Sequence, residues 1–111
     1  MVEFGKATGV EATAADCNIA EIAHFNGLDN QLEKLAEECA EVVQAALKYK
    51  RKRDATTMAH LAEEIGDAQI LMDQIAVLCP EIPEYSRMYR SLKIKRELDR
   101  IKEQQPKEAF E

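Results

Sequence analysis

The sequence predicts an all-α protein, an antiparallel helical bundle of about four helices. Three observations predict it. Gly and Pro number only 4 and 3 in 111 residues, so long stretches carry no helix breaker. Between the breaks, apolar residues recur at helical spacing, and no alternating run suits a strand. The connections are short, which makes successive helices antiparallel neighbours. A chain of 111 residues suits one domain, and 46% hydrophobic residues supply a core.

Residues 1–15 hold Gly5 and Gly9 without clear periodicity and read as an N-terminal arm, mobile or loosely docked. The helical domain spans 16–105, and 106–111 form a tail. A first short helix is expected over 16–25, with Ile19, Ile22 and Phe25 on one side. The stretch HFNGLDN breaks it, and Asp29 suits the N-cap of the next helix. That second helix runs over 30–51 with Leu32, Leu35, Cys39, Val42, Val43 and Ala46 as its apolar stripe. The basic run KYKRKRD closes it, as cations suit a helix C-terminus. A third helix is expected over 57–78, ended by Pro80. Pro83 takes an early position of a fourth, which reaches about residue 103 before Pro106.

A net charge of −6 argues against a nucleic-acid surface, which leaves a basic footprint. Such a chain still binds a polyanion when metal cations stand between them. Cys17, Cys39 and Cys79 are odd in number and form no CxxC pair. With no signal peptide and no apolar run of membrane length, a reduced, cytoplasmic setting without membrane partners is expected. Cys39 and Cys79 read as small core residues.

The carboxylates are less easily explained. Glu37, Glu38 and Glu41 fall within an arc of roughly 100° on the second helix, centred roughly 150° from its apolar stripe. Alone they describe a wet acidic face. On the third helix, Leu61, Ile65, Ala68, Leu71, Met72 and Ile75 mark the apolar side, with Glu64 inside it and Asp67 at its border. Glu63, Asp73 and Gln74 point elsewhere, as surface residues should. A carboxylate on an apolar face is costly unless paired or bound to a cation. If the two helices pack side by side, five carboxylates converge. Like charges about 4 Å apart repel by about 1 kcal/mol in water and about 4 at an effective dielectric of 20. Divalent cations relieve that repulsion, and an all-oxygen set favours Mg²⁺, with Mn²⁺ as a substitute, over zinc. A di-iron centre needs paired Glu-x-x-His motifs, and only Glu21 and His24 supply one. His24 and His60 read as surface or packing residues.

The pattern EECAE at Glu37, Glu38 and Glu41, 22 intervening residues, then EIGD at Glu64 and Asp67 resembles the MazG-like superfamily of all-α nucleoside triphosphate pyrophosphohydrolases. The flanks QLEKLAEECAEVVQAALKYKR and EEIGDAQILMDQIAVL fit its short stand-alone and phage-type members, and the resemblance covers about Asn18 to Ile101. It implies a helical bundle that hydrolyses the α–β bond of a nucleoside triphosphate, giving a monophosphate and pyrophosphate. It implies Mg²⁺ held by Glu38, Glu41, Glu64 and Asp67, with Glu37 either a further ligand or the group that orients the attacking water. It also implies a homodimer or homotetramer with sites near subunit contacts.

Lys93, Arg96 and Arg100 fall within roughly 60° on the fourth helix. They form either a solvated basic face or, as in similar positions of the family, contacts to phosphate oxygens. Lys48 lies one or two turns past the first motif and either pairs with Gln44 or Glu41 or reaches a phosphate. Two rivals share these features. One is a phosphoribosyl-ATP pyrophosphatase-like enzyme on a related bundle. The other is a non-enzymatic helical interaction or regulatory module.

Overall fold

The structure, a computed structural model, describes residues 14–105. These residues form four α-helices and no strand: α1 (Ala14–Asn26), α2 (Leu28–Arg51), α3 (Ala55–Leu78) and α4 (Glu81–Gln104). Residues 14 and 15, placed in the arm from the sequence, open α1; the rest of the arm and the tail from 106 lie outside the described residues. The chain divides into two units, Met1–Pro80 and Glu81–Glu111.

In the first unit α2 and α3 form a hairpin, and α1 packs on both. The hairpin is antiparallel, because Gln31 near the start of α2 bonds Gln74 near the end of α3. The α1–α2 break is a single residue. Gly27 sits at φ 85 and ψ 162, a region that is essentially glycine's own. Its N–H still reaches the Ala23 carbonyl at 2.9 Å, and its own carbonyl starts α2 by accepting from Gln31. The expected cap is therefore corrected: Gly27, not Asp29, is the N-cap, and it makes no side-chain bond. Asp29 lies inside the first turn, where its charge still favours the positive helix end.

At the α2–α3 turn, the Asp54 side chain accepts from the Thr57 N–H at 2.9 Å, and the Asp54 N–H donates to Thr57 Oγ1 at 3.2 Å. This reciprocal cap starts α3 at Ala55, two residues before the expected position. Pro80 ends α3 as expected, with Cys79 as its C-cap.

The hairpin's inner face corrects the expected core. On α2 the buried residues are Gln31 and Ala45, whereas Leu32, Cys39, Val43 and Ala46 of the expected stripe are exposed. On α3, Glu64, Ala68, Leu71, Gln74 and Ile75 are buried, while Ile65 and Met72 are exposed. Cys39 is thus not a core residue, and Cys79 is only half-buried. Gln74, expected at the surface, is 3% exposed. The reason is local chemistry: the Gln31 Nε2–H donates to Gln74 Oε1 at 2.5 Å, so one amide accepts from the other inside. Alanines at 45 and 68 fill little space, which favours close approach of the two helices.

The displaced apolar residues keep a pattern. Leu32, Val43 and Leu47 on α2, and Met58, Ile65 and Met72 on α3, are all exposed. Each row is rotated in the same sense, by roughly 100°, from the inner face of its own helix. On antiparallel partners that puts both rows on one side of the hairpin. The second unit consists of α4, in which no residue is buried. Ion pairs Lys95–Asp99 and Glu97–Arg100 run along its surface.

Candidate metal centre

Antiparallel packing brings the middle of α2 against the middle of α3. Glu38 and Glu41, three residues apart on one helical flank, meet Glu64 across the hairpin. One carboxylate oxygen from each lies within 4.8 Å of the other two. Glu64 is 8% exposed, Glu38 is half-buried and Glu41 is exposed. Glu38 Oε1 and Glu64 Oε1 are both buried and face no donor. Opposite corners of a magnesium octahedron stand about 4 Å apart, given oxygen ligands at 2.0–2.1 Å. A spread of 4.8 Å therefore fits a hard divalent cation after a small inward rotation of the side chains. Donor type, spacing and the two orphaned oxygens all suit such an ion.

The electrostatics agree with the geometry. Burial, and then the neighbouring Glu41 and Asp67 charges, raise the Glu38 carboxyl above the ordinary glutamate value. Glu41 is raised as well, first by its hydrogen bond with Glu64 and the charge of that residue, then by burial, Asp67 and Glu37. One cause is shared: closely spaced like charges around Glu38 and Glu41 disfavour the ionised form of each.

Asp67 is exposed, but it lines the same cleft as Glu38, and its charge acts on Glu38 and Glu41. Glu37 is also exposed, at the outer edge of the group, and acts on Glu41. The acidic face expected to point away from the core is thus partly turned inward, at Glu38. Lys48 is exposed on α2, two turns beyond Glu41. Lys93, Arg96 and Arg100 are exposed on α4, where Arg100 bonds Glu97 at 2.6 Å and Lys93 borders Tyr89.

Two features escaped the sequence reading. His60, taken for a surface or packing residue, holds Glu64: its Nε2 lies 3.1 Å from Glu64 Oε2. The i,i+4 spacing on a helix was the available signal. The second is an open cleft of about 370 Å³ beside the carboxylates, walled by α1, α2 and α3. Glu38 and Asp67 border it on one side, and Asn26, Gln31 and Gln74 line another part.

Comparison of the chain with protein-family models, with curated proteins and with solved structures finds no match. Among the described residues no helix is long and apolar enough to cross a membrane.

Proposed function

We propose that the protein is a Mg²⁺-dependent nucleoside triphosphate pyrophosphohydrolase, cleaving the α–β bond to release a nucleoside monophosphate and pyrophosphate. The observation that carries the reading is the approach of Glu38, Glu41 and Glu64 with two buried oxygens lacking any donor. The sequence resemblance to MazG-like enzymes supplies the reaction class.

In this reading Glu38, Glu41, Glu64 and Asp67 hold Mg²⁺, or Mn²⁺ in its place. An ion held there would supply neutralisation of phosphate charge and a lowered pKa for attacking water. The chain itself does the rest. His60 holds one oxygen of Glu64, and the other is buried without a partner. Glu37, exposed beside these carboxylates, is proposed either as a further ligand or as the group that orients the attacking water. Lys48, Lys93, Arg96 and Arg100 are the cations proposed to contact phosphate oxygens. Cys17, Cys39 and Cys79 form no disulfide with one another, and a cytoplasmic setting is part of this reading.

The test is pyrophosphate release across canonical and modified nucleoside triphosphates and phosphoribosyl-ATP. Release from a nucleoside triphosphate with Mg²⁺ or Mn²⁺, abolished by excess EDTA, is expected. Turnover that survives chelation contradicts the mechanism. Release from phosphoribosyl-ATP alone favours the histidine-pathway type of enzyme, and no release from anything favours an interaction module.

The protein also works, in this reading, as a homodimer or homotetramer. The exposed row of Leu32, Val43 and Leu47 with Met58, Ile65 and Met72 supports it. Burying a side chain of this size stabilises by about 1.5–3 kcal/mol, so a second copy gains by covering the row. Sedimentation is expected to give a dimer or larger, and Val43→Glu with Ile65→Glu to shift it to monomer. A wild-type monomer at high concentration removes the inference.

A further inference from the structure

We propose that the cleft beside the carboxylates is the nucleoside site, and that Gln31 and Gln74 read the hydrogen-bonding edge of the base. The inference rests on the pyrophosphohydrolase reading and specifies what that reading leaves open. The cleft of about 370 Å³ falls in the size range of small-molecule sites, and it is continuous with Glu38 and Asp67. A triphosphate tail on the cation therefore places its nucleoside within reach of this space. Ile22, Ile70 and Leu71 supply apolar wall suited to a flat ring.

The polar floor is the informative part. Gln31 and Gln74 line the cleft at 2% and 3% exposure, against the solvated state usual for glutamine. Their mutual bond uses one donor of Gln31 and the carbonyl of Gln74. The Gln31 carbonyl is left buried with no partner. An acceptor shut from water and lacking a donor is costly. A ring N–H or exocyclic amine entering the cleft removes that cost by donating to Gln31 Oε1 once the Gln31 amide turns toward the cleft. Phe25, the nearest aromatic in sequence, is 87% exposed and lines no part of the cleft. Selection is thus by hydrogen bonding at the base edge, with apolar contact as backing.

A site built around a hydrogen bond rejects analogues that lack it far more strongly than a site built on shape. The test uses the full chain with Mg²⁺. The base with the highest kcat/KM is compared with its counterpart lacking the edge N–H. The counterparts are purine riboside triphosphate for ATP, 2-pyrimidinone riboside triphosphate for CTP, and the N3-methyl or N1-methyl triphosphate for UTP or GTP. A loss of about 100-fold or more is expected in the wild type. Gln31→Met, of similar length, is expected to shrink that ratio to a few-fold by lowering kcat/KM for the normal base. Equal turnover of the pair by wild-type protein overturns the base-edge site, while the pyrophosphate released still upholds the hydrolase reading. If no nucleotide is hydrolysed, that reading fails, and nucleoside monophosphate binding decides the site. Shifts of the Gln31 and Gln74 side-chain amide resonances support it, and unmoved resonances overturn it. The wild-type comparison stands even if Gln31→Met does not fold.

Discussion

Glu41→Gln and Asp67→Asn are each expected to lower the proposed pyrophosphate release by at least about 10³-fold, with helical content unchanged by circular dichroism. The magnitude follows from the work assigned to the cation: losing about 4 kcal/mol of transition-state stabilisation is a thousandfold in rate. Glu41 contributes one of the three oxygens that lie within 4.8 Å of one another. An amide keeps the shape but not the charge, so it preserves packing and weakens the grip on a divalent ion. Helicity is preserved because Glu41 and Asp67 are both exposed and neither carries the hairpin's inner packing. Titration with Mn²⁺ separates the causes: weakened ion binding by the variants is expected alongside the lost rate. Full activity in either variant removes that residue from the proposed ligand set.

The second large effect is on stability, and its sign runs against intuition. Without divalent ions, raising the pH is expected to destabilise the wild type relative to Glu41→Gln. Glu38 and Glu41 both hold their protons to higher pH in the folded protein than in the unfolded chain. Between the ordinary glutamate value, about 4.3, and the raised ones, the folded state binds more protons. Its stability therefore falls as pH rises through that window, and the penalty is complete above it. The variant carries no proton to lose at position 41 and spares Glu38 that neighbour's charge, so it should melt higher than wild type at pH 7 and equal to it below pH 4. Mg²⁺ should reverse the order. Binding only the folded form, it adds about 2.7 kcal/mol at a hundredfold excess over Kd. The wild type should gain that at pH 7 and little of it at pH 4, and Glu41→Gln should gain far less. Melting curves across pH, with Mg²⁺ and with EDTA, read all four corners. A wild type that outlasts Glu41→Gln at pH 7 in EDTA contradicts the repulsion on which the site rests.

The parts of this molecule visible in the sequence are those governed by local backbone physics. Gly27 and Pro80 break helices wherever they stand, and both breaks fall where expected. The burial of Glu64 was signalled by its place among apolar residues of one helix face. What the sequence hid is rotation and pairing. Leu32 and Val43 look like core on a helical wheel, and nothing in α2 alone says that Gln31 and Ala45 will turn inward instead. That choice depends on Gln74, which lies 43 residues away. Asp54 with Thr57 escaped notice because the hydroxyl and carboxylate of the usual capping box are exchanged. The approach of Glu38 and Glu41 to Glu64 was conditional on side-by-side packing, and the hairpin supplies that condition.

The hairpin turn has a kinetic consequence. Only residues 52–54 separate α2 from α3, and every carboxylate of the centre lies on one or other arm. Closing so short a loop is fast, and a topology rich in near-neighbour contacts folds quickly. The acidic pocket therefore arises in the same step that zips the two arms together, with no later docking of remote segments. Repulsion among Glu38, Glu41 and Glu64 is expected to act as a brake on that step, and under the proposed metal-binding reading added Mg²⁺ is expected to speed refolding.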